Sequence, residues 1–146
     1  MTTGPAMLTS RTIGEAENAL RAVLNKVLRG TDLDYHRWVA LKLVAEQRPP
    51  LPETTAIERL RAGLKISRDV AVEVIEDLKA GGIVDAADHD LTVTADGDTL
   101  YRALNGEIRQ LVQRMWAGLD VEDLVIAQHV LSTITQRANV LLKTAA

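Results

Sequence analysis

The stretch from Ile57 to Gly97, IERLRAGLKISRDVAVEVIEDLKAGGIVDAADHDLTVTADG, passes from a helical hydrophobic period to a strand-like one. Thr55-x-x-Glu58 is a capping-box pattern that predicts a short helix through Ile57 and Leu60 to about Gly63. Ser67 is a good N-cap for the next helix, whose inward face is predicted as Val70, Ala71, Val74, Ile75 and Leu78. The pair Gly81-Gly82 ends that helix. The segments IVDA and LTVT, joined by a polar ADHD turn, then read as a minimal hairpin. Helix, turn, helix and hairpin in this order make a winged helix-turn-helix, an architecture that reads DNA.

The flanks are helical. Thr12-x-x-Glu15 is a second capping-box pattern, followed by Ile13, Leu20, Val23, Leu24, Val27 and Leu28 at helical spacing and by Gly30 as a stop. Thr31 to Asp34 can cap a helix carrying Tyr35, Trp38, Val39, Leu41, Leu43 and Val44, which RPPLPE (Arg48 to Glu53) must break. After Gly97, a long helix is predicted from about Asp98 to Trp116, then a break at Gly118. Asp120 caps a final helix bearing Leu124, Val125, Ala127, Leu131, Ile134, Ala138, Leu141 and Leu142. The expected fold is mainly α with a small β-hairpin: one domain over 1–146, with a winged-helix lobe at 31–97. Residues 10–30 and 98–146 are expected to be dimerisation helices. Their apolar faces are large for elements flanking so small a lobe, and a second copy of the chain would bury them.

Composition excludes several classes. The chain has 146 residues, 47% of them hydrophobic, which suffices for one core. It has no Cys, so disulfides and thiolate metal sites are excluded. No apolar run approaches the roughly 18–20 residues that span a bilayer, and the start lacks a secretory pattern, so a cytoplasmic location is expected. The net charge of −3 is unevenly spread. Residues 1–30 carry four basic and two acidic side chains, residues 53–84 five and six, and residues 85–98 five Asp and no Lys or Arg. Negative charge therefore collects where a DNA-facing surface is expected.

In VIEDLKAGGIV (Val74 to Val84), LTVTADGDTLYRAL (Leu91 to Leu104) and GLDVEDLVIAQHVLSTITQRA (Gly118 to Ala138), and in element order from Leu20 to Leu142, the chain resembles the MarR family of bacterial transcriptional regulators. The resemblance implies a homodimer whose terminal helices interlock and whose two recognition helices enter successive major grooves of a pseudo-palindrome. In many members a small anionic or phenolic effector releases the DNA. Two departures stand out. The family's wing carries an Asp-x-Arg motif in a longer loop, whereas DAADHD (Asp85 to Asp90) has neither Lys nor Arg and leaves His89 as its candidate cation. The recognition helix bears Glu73 and Asp77 where members often have Arg or Lys.

Candidate DNA contacts follow. Arg59, Arg61 and Lys65 on the preceding helix can grip phosphates, as can Ser67 and the amides of that N-terminus. Base reading falls to Arg68, Asp69, Val72 and Glu73, since carboxylates accept from cytosine N4. In the family the ligand crevice lies near the start of the helix that here begins DLDYHRW (Asp32 to Trp38), so Tyr35, His36 and Trp38, with Arg102, are the candidate effector contacts. Enzyme readings lack a constellation: there is no G-x-S-x-G, P-loop or G-x-G-x-x-G, and His36, His89 and His129 lie far apart. No cofactor, metal or membrane partner is expected. The expected function is a non-catalytic, DNA-binding homodimeric regulator. The alternative is a winged-helix dimer that has lost DNA binding and serves as a protein-interaction module, motivated by its acidic wing and recognition helix.

Overall fold

The computed structural model describes residues 5–47 and 50–144. Their elements run α1 (Ser10–Leu28), α2 (Tyr35–Ala45), β1 (Leu51–Pro52), α3 (Glu53–Leu64), α4 (Arg68–Ala80), β2 (Val84–Ala87), β3 (Asp90–Val93), α5 (Ala95–Trp116) and α6 (Val121–Thr144). They form two compact units, Met1–Arg109 and Gln110–Ala146, so the division falls inside α5.

In the first unit α2, α3 and α4 pack on one another and on a three-stranded antiparallel sheet of order β1-β3-β2. Leu41, Leu60, Ile75, Leu78, Leu91, Val74 and Val84 are its largest fully buried side chains. Each such apolar side chain contributes about 1.5–3 kcal/mol by leaving water. The end of α1 joins this core through Leu28, with Leu24 and Val27 packed beside it. In α4 the buried set is Ala71, Val74, Ile75 and Leu78. Val70, expected inside, is 37% exposed, because it lies about 90° around the helix from the centre of the buried 71, 74, 75, 78 stripe. Val72, expected outside, is half-buried and packs against the core.

Caps fix the helix starts. Asp34 accepts from the Arg37 amide at 3.0 Å and Ser67 from the Val70 amide at 3.2 Å. Thr9, not Thr12, caps α1 by accepting from the Thr12 amide at 3.3 Å. The Thr55-x-x-Glu58 box is not used, since α3 already begins at Glu53 and has no side-chain cap. The α2 break expected at RPPLPE begins after Ala45, and its Arg48 and Pro49 lie outside the described residues. The two-residue strand β1, absent from the expected hairpin, pairs Leu51 with Leu91 and Pro52 with Asp90. Proline is tolerated there because β1 is an edge.

The hairpin is as short as a hairpin can be. Ala87 pairs with Asp90, leaving Asp88 and His89 as a two-residue turn with φ of 52° and 69°. Two successive positive φ values mark a type I′ turn, which matches the strand twist but favours Asn-Gly. Replacing both residues, Asp88→Asn with His89→Gly, is expected to raise stability by about 1 kcal/mol. Urea unfolding with an unchanged or lower midpoint would contradict that turn assignment.

Helix α5 begins at Ala95, three residues before the start expected at about Asp98. Thr94 caps it: its Oγ1 accepts from the Gly97 amide at 2.9 Å and donates to the Gly82 carbonyl at 2.6 Å. Gly97 thus lies buried inside the first turn, against the base of the wing. In the second unit Gly118, at φ 78°, reverses the chain after α5. Asp120 then caps α6 by accepting from the Glu122 amide at 2.9 Å. No residue of α6 is buried. Among the described residues no helix is long and apolar enough to cross a membrane.

Candidate nucleic-acid interface

Helices α3 and α4 are joined by Lys65 and two further residues. Lys65 adopts a left-handed conformation, φ 57°, and its ammonium turns back to the Ala62 carbonyl at 2.7 Å. This tight turn leaves the first turn of α4 open to solvent, with Ser67, Arg68, Asp69 and Val70 all exposed. The Ser67 cap satisfies the Val70 amide, and the N-terminal end of the helix dipole adds positive potential there.

The cations around this turn share one carboxylate. Glu58 lies 3.1 Å from Arg61 and 3.6 Å from Arg68, and so links α3 to the start of α4. Exposed pairs of this kind contribute well under about 1 kcal/mol each and open readily to a stronger anion. Arg59 is exposed on α3 beside a shallow groove lined by Thr54, Thr55, Glu58 and Ala62, and has no ion-pair partner among the described residues. His89 is exposed at the tip of the wing, where its carbonyl accepts from the Glu53 amide at 2.8 Å. Sequence reasoning named Arg61 and Arg68 but read Glu58 only as part of a capping box, although its i, i+3 spacing to Arg61 was readable.

The rest of α4 is acidic but not unopposed. Arg37 of α2 donates through Nε to Asp77 at 3.1 Å and through a terminal nitrogen to Asp34 at 2.7 Å. It also lies 4.0 Å from Glu73. Its bond to Asp77 holds the guanidinium above the usual arginine range. Lys79 bridges Glu76 at 3.0 Å and Glu53 of α3, and its bond to Glu53 raises it likewise. Beside Arg37, a cleft of about 400 Å³ is lined by Asp32, Leu33, Asp77, Leu78 and Ile83 among others.

The effector candidates have different immediate surroundings. Trp38 is buried and stacks on Tyr101, ring centroids 5.8 Å apart. The Tyr101 hydroxyl donates to Glu46 at 2.7 Å, and burial together with that carboxylate pushes the phenol up to about 12. Tyr35 is half-buried under the Arg21 guanidinium, 4.3 Å from its ring centroid, with His36 beside it at 6.0 Å. Arg102 is exposed and pairs with Asp98 at 2.9 Å. Neither the Arg37 cleft nor the α3 groove is lined by any of these four. Among the described residues no group of three or more His, Asp or Glu is placed to hold a metal.

A capped, solvent-facing helix braced by a second helix and followed by a hairpin defines a winged helix-turn-helix protein. The chain has the MarR-family winged-helix fold. A MarR protein from Peptoclostridium difficile superposes with a TM-score of 0.74 at 18% identity, over 97% of this chain and 99% of that one. CouR from Rhodococcus jostii, solved with p-coumaroyl-CoA bound, gives 0.70 at 17% identity, over 85% and 88%. A Mycobacterium tuberculosis MarR family protein in complex with p-aminosalicylic acid gives 0.66 at 18%, over 88% and 98%. No protein-family model matches the chain, and no curated protein matches its sequence.

Proposed function

We propose that the protein is a cytoplasmic transcriptional regulator that binds duplex DNA as a homodimer, without catalysis. The observation that carries this reading is the first turn of α4: an open, capped helix start presenting Ser67, Arg68, Asp69 and Val70 to solvent. Inserted into a major groove, this turn offers Arg68 to guanine or phosphate and Asp69 and Glu73 to cytosine amino groups. Arg59, Arg61 and Lys65 grip the flanking phosphates, with Glu58 releasing Arg61 and Arg68 as the backbone arrives. The two-residue wing turn, bearing His89 and no Lys or Arg, is too short to add much. The 10–30 and 98–146 segments supply the dimer contact.

Small-molecule response extends this reading. Two of the superposed structures hold the ligands p-coumaroyl-CoA and p-aminosalicylic acid. In this chain Tyr35, His36, Trp38 and Arg102 are the proposed contacts for a small anionic or phenolic effector. Such a ligand acts by favouring one spacing of the two DNA-binding lobes over another.

Fluorescence anisotropy against a random-sequence duplex pool, at low and physiological salt, tests the proposal when the retained DNA is sequenced. The expected result is an enriched pseudo-palindrome whose affinity falls steeply with salt. Arg68→Ala is expected to weaken binding by about tenfold to a hundredfold and to relax preference at one position of each half-site. No retention at low salt would overturn the reading in favour of a protein-interaction module.

A further inference from the structure

Asp69, Glu73 and Asp77 succeed one another at i, i+4 spacing, so they form one acidic stripe along α4. Such a stripe repels itself and repels phosphate. Its far end lies about 13 Å of helix axis from Arg68, comparable to the ~10 Å over which charge is felt at 0.1 M salt. Among the described residues one cation sits within 4.0 Å of Glu73 or Asp77, and it comes from another helix: Arg37, forty positions before Asp77. Asp34 holds the same guanidinium from behind, and the Arg37 side chain is only 20% exposed. The guanidinium is therefore fixed against the stripe and not free to swing to solvent.

We propose that Arg37 is a positioning residue for DNA binding: it neutralises the Glu73–Asp77 end of the recognition helix so that an acidic helix can enter a groove lined with phosphates. The proposal rests on the functional reading above. Arg37 need not touch DNA. It acts through Asp77, whose charge it cancels and whose side chain it draws toward α2 and away from the outer face of α4.

A purely structural role and this electrostatic role differ in sign. Arg37→Gln and Asp77→Asn break the same bridge, so a structural brace predicts equal losses of DNA affinity. Charge neutralisation predicts opposite changes. In anisotropy titrations of the full chain on a fixed duplex taken from the retained pool, or otherwise a mixed-sequence duplex, at about 50 mM salt, Arg37→Gln is expected to weaken binding roughly fivefold and Asp77→Asn to tighten it roughly as much. The double variant should return near wild type, Arg37→Lys should keep most of the affinity, and each difference should shrink as salt rises. Far-ultraviolet circular dichroism confirms the fold of each variant. Wild-type binding with both single variants shifted the same way would overturn the inference alone. Absence of binding by wild type and by Asp77→Asn would overturn the functional reading and this inference with it.

Discussion

Gly97→Ala is expected to lower stability by about 3 kcal/mol or more, against the sign that helix propensity alone would give. Gly97 lies in the first turn of α5, where alanine normally gains roughly 0.5–1 kcal/mol over glycine. A Cβ built there meets the Ile83 carbonyl oxygen at 2.0 Å, the Ile83 carbonyl carbon at 2.9 Å and a Val93 methyl at 2.9 Å. Two of those atoms are backbone, and the oxygen accepts from the Thr94 amide at 3.0 Å and lies 3.1 Å from the Thr94 hydroxyl. Relief therefore requires moving α5 off the wing base, which strains the Thr94 cap and the β2–β3 register together. The matched control is Gly106→Ala on the same helix, whose Cβ meets nothing within 4 Å. Thermal melts should show Gly97→Ala falling by about 10 °C while Gly106→Ala holds or rises. Equal midpoints for the two variants would refute the close approach. The consequence for function is that the wing and α5 share one backbone contact, so this variant should lose DNA affinity as well.

That contact also shows where local sequence reasoning stopped. Most of the inward face of α4 (Ala71, Val74, Ile75 and Leu78, though not Val70), the Ser67 cap, the hairpin and the Asp120 cap were legible because each is set by residues within one or two turns of one another. Gly97 was legible as a glycine but not as a site of close approach, since the atom it must admit belongs to Ile83. The helix expected after Gly97, from about Asp98, in fact starts at Ala95 under the Thr94 cap and takes Gly97 into its first turn. Strand β1 was missed for the same reason: two residues carry no periodicity, and the pairing of Leu51 with Leu91 is a long-range contact. At the proposed DNA-facing surface the residue types were legible and their partners were not. The acidic stripe was plain in the sequence, but its neutralisation by Arg37 spans forty positions. Glu58 tying Arg61 to Arg68 depends on how tightly α3 turns into α4.

The second large effect concerns the dimer. Helix α6 exposes Val121 at 72%, Ile126 at 61% and Leu141 at 66%, and none of its residues is buried. A helix so apolar and so open is stable in water only when another surface covers it. The occupant proposed here is a second copy, because a two-fold axis lets one apolar stripe cover its own image. Ile134 and Leu141 lie at i, i+7 on one side of α6, so Ile134→Asp with Leu141→Asp places four carboxylates in the symmetric interface. The chain carrying both changes is expected to sediment as a monomer at micromolar concentration, and wild type is expected to sediment as a dimer. Its first unit, with the core around Leu41, Leu60 and Ile75, should remain folded. Affinity for a pseudo-palindromic duplex should fall by more than about a hundredfold, since one half-site no longer holds the second near its target. A half-site duplex, by contrast, should bind wild type and variant alike, because α4 and its cations are unchanged. A wild-type monomer, or a double variant that stays dimeric with undiminished affinity, would remove the second copy from the proposal and leave α6 to a different partner.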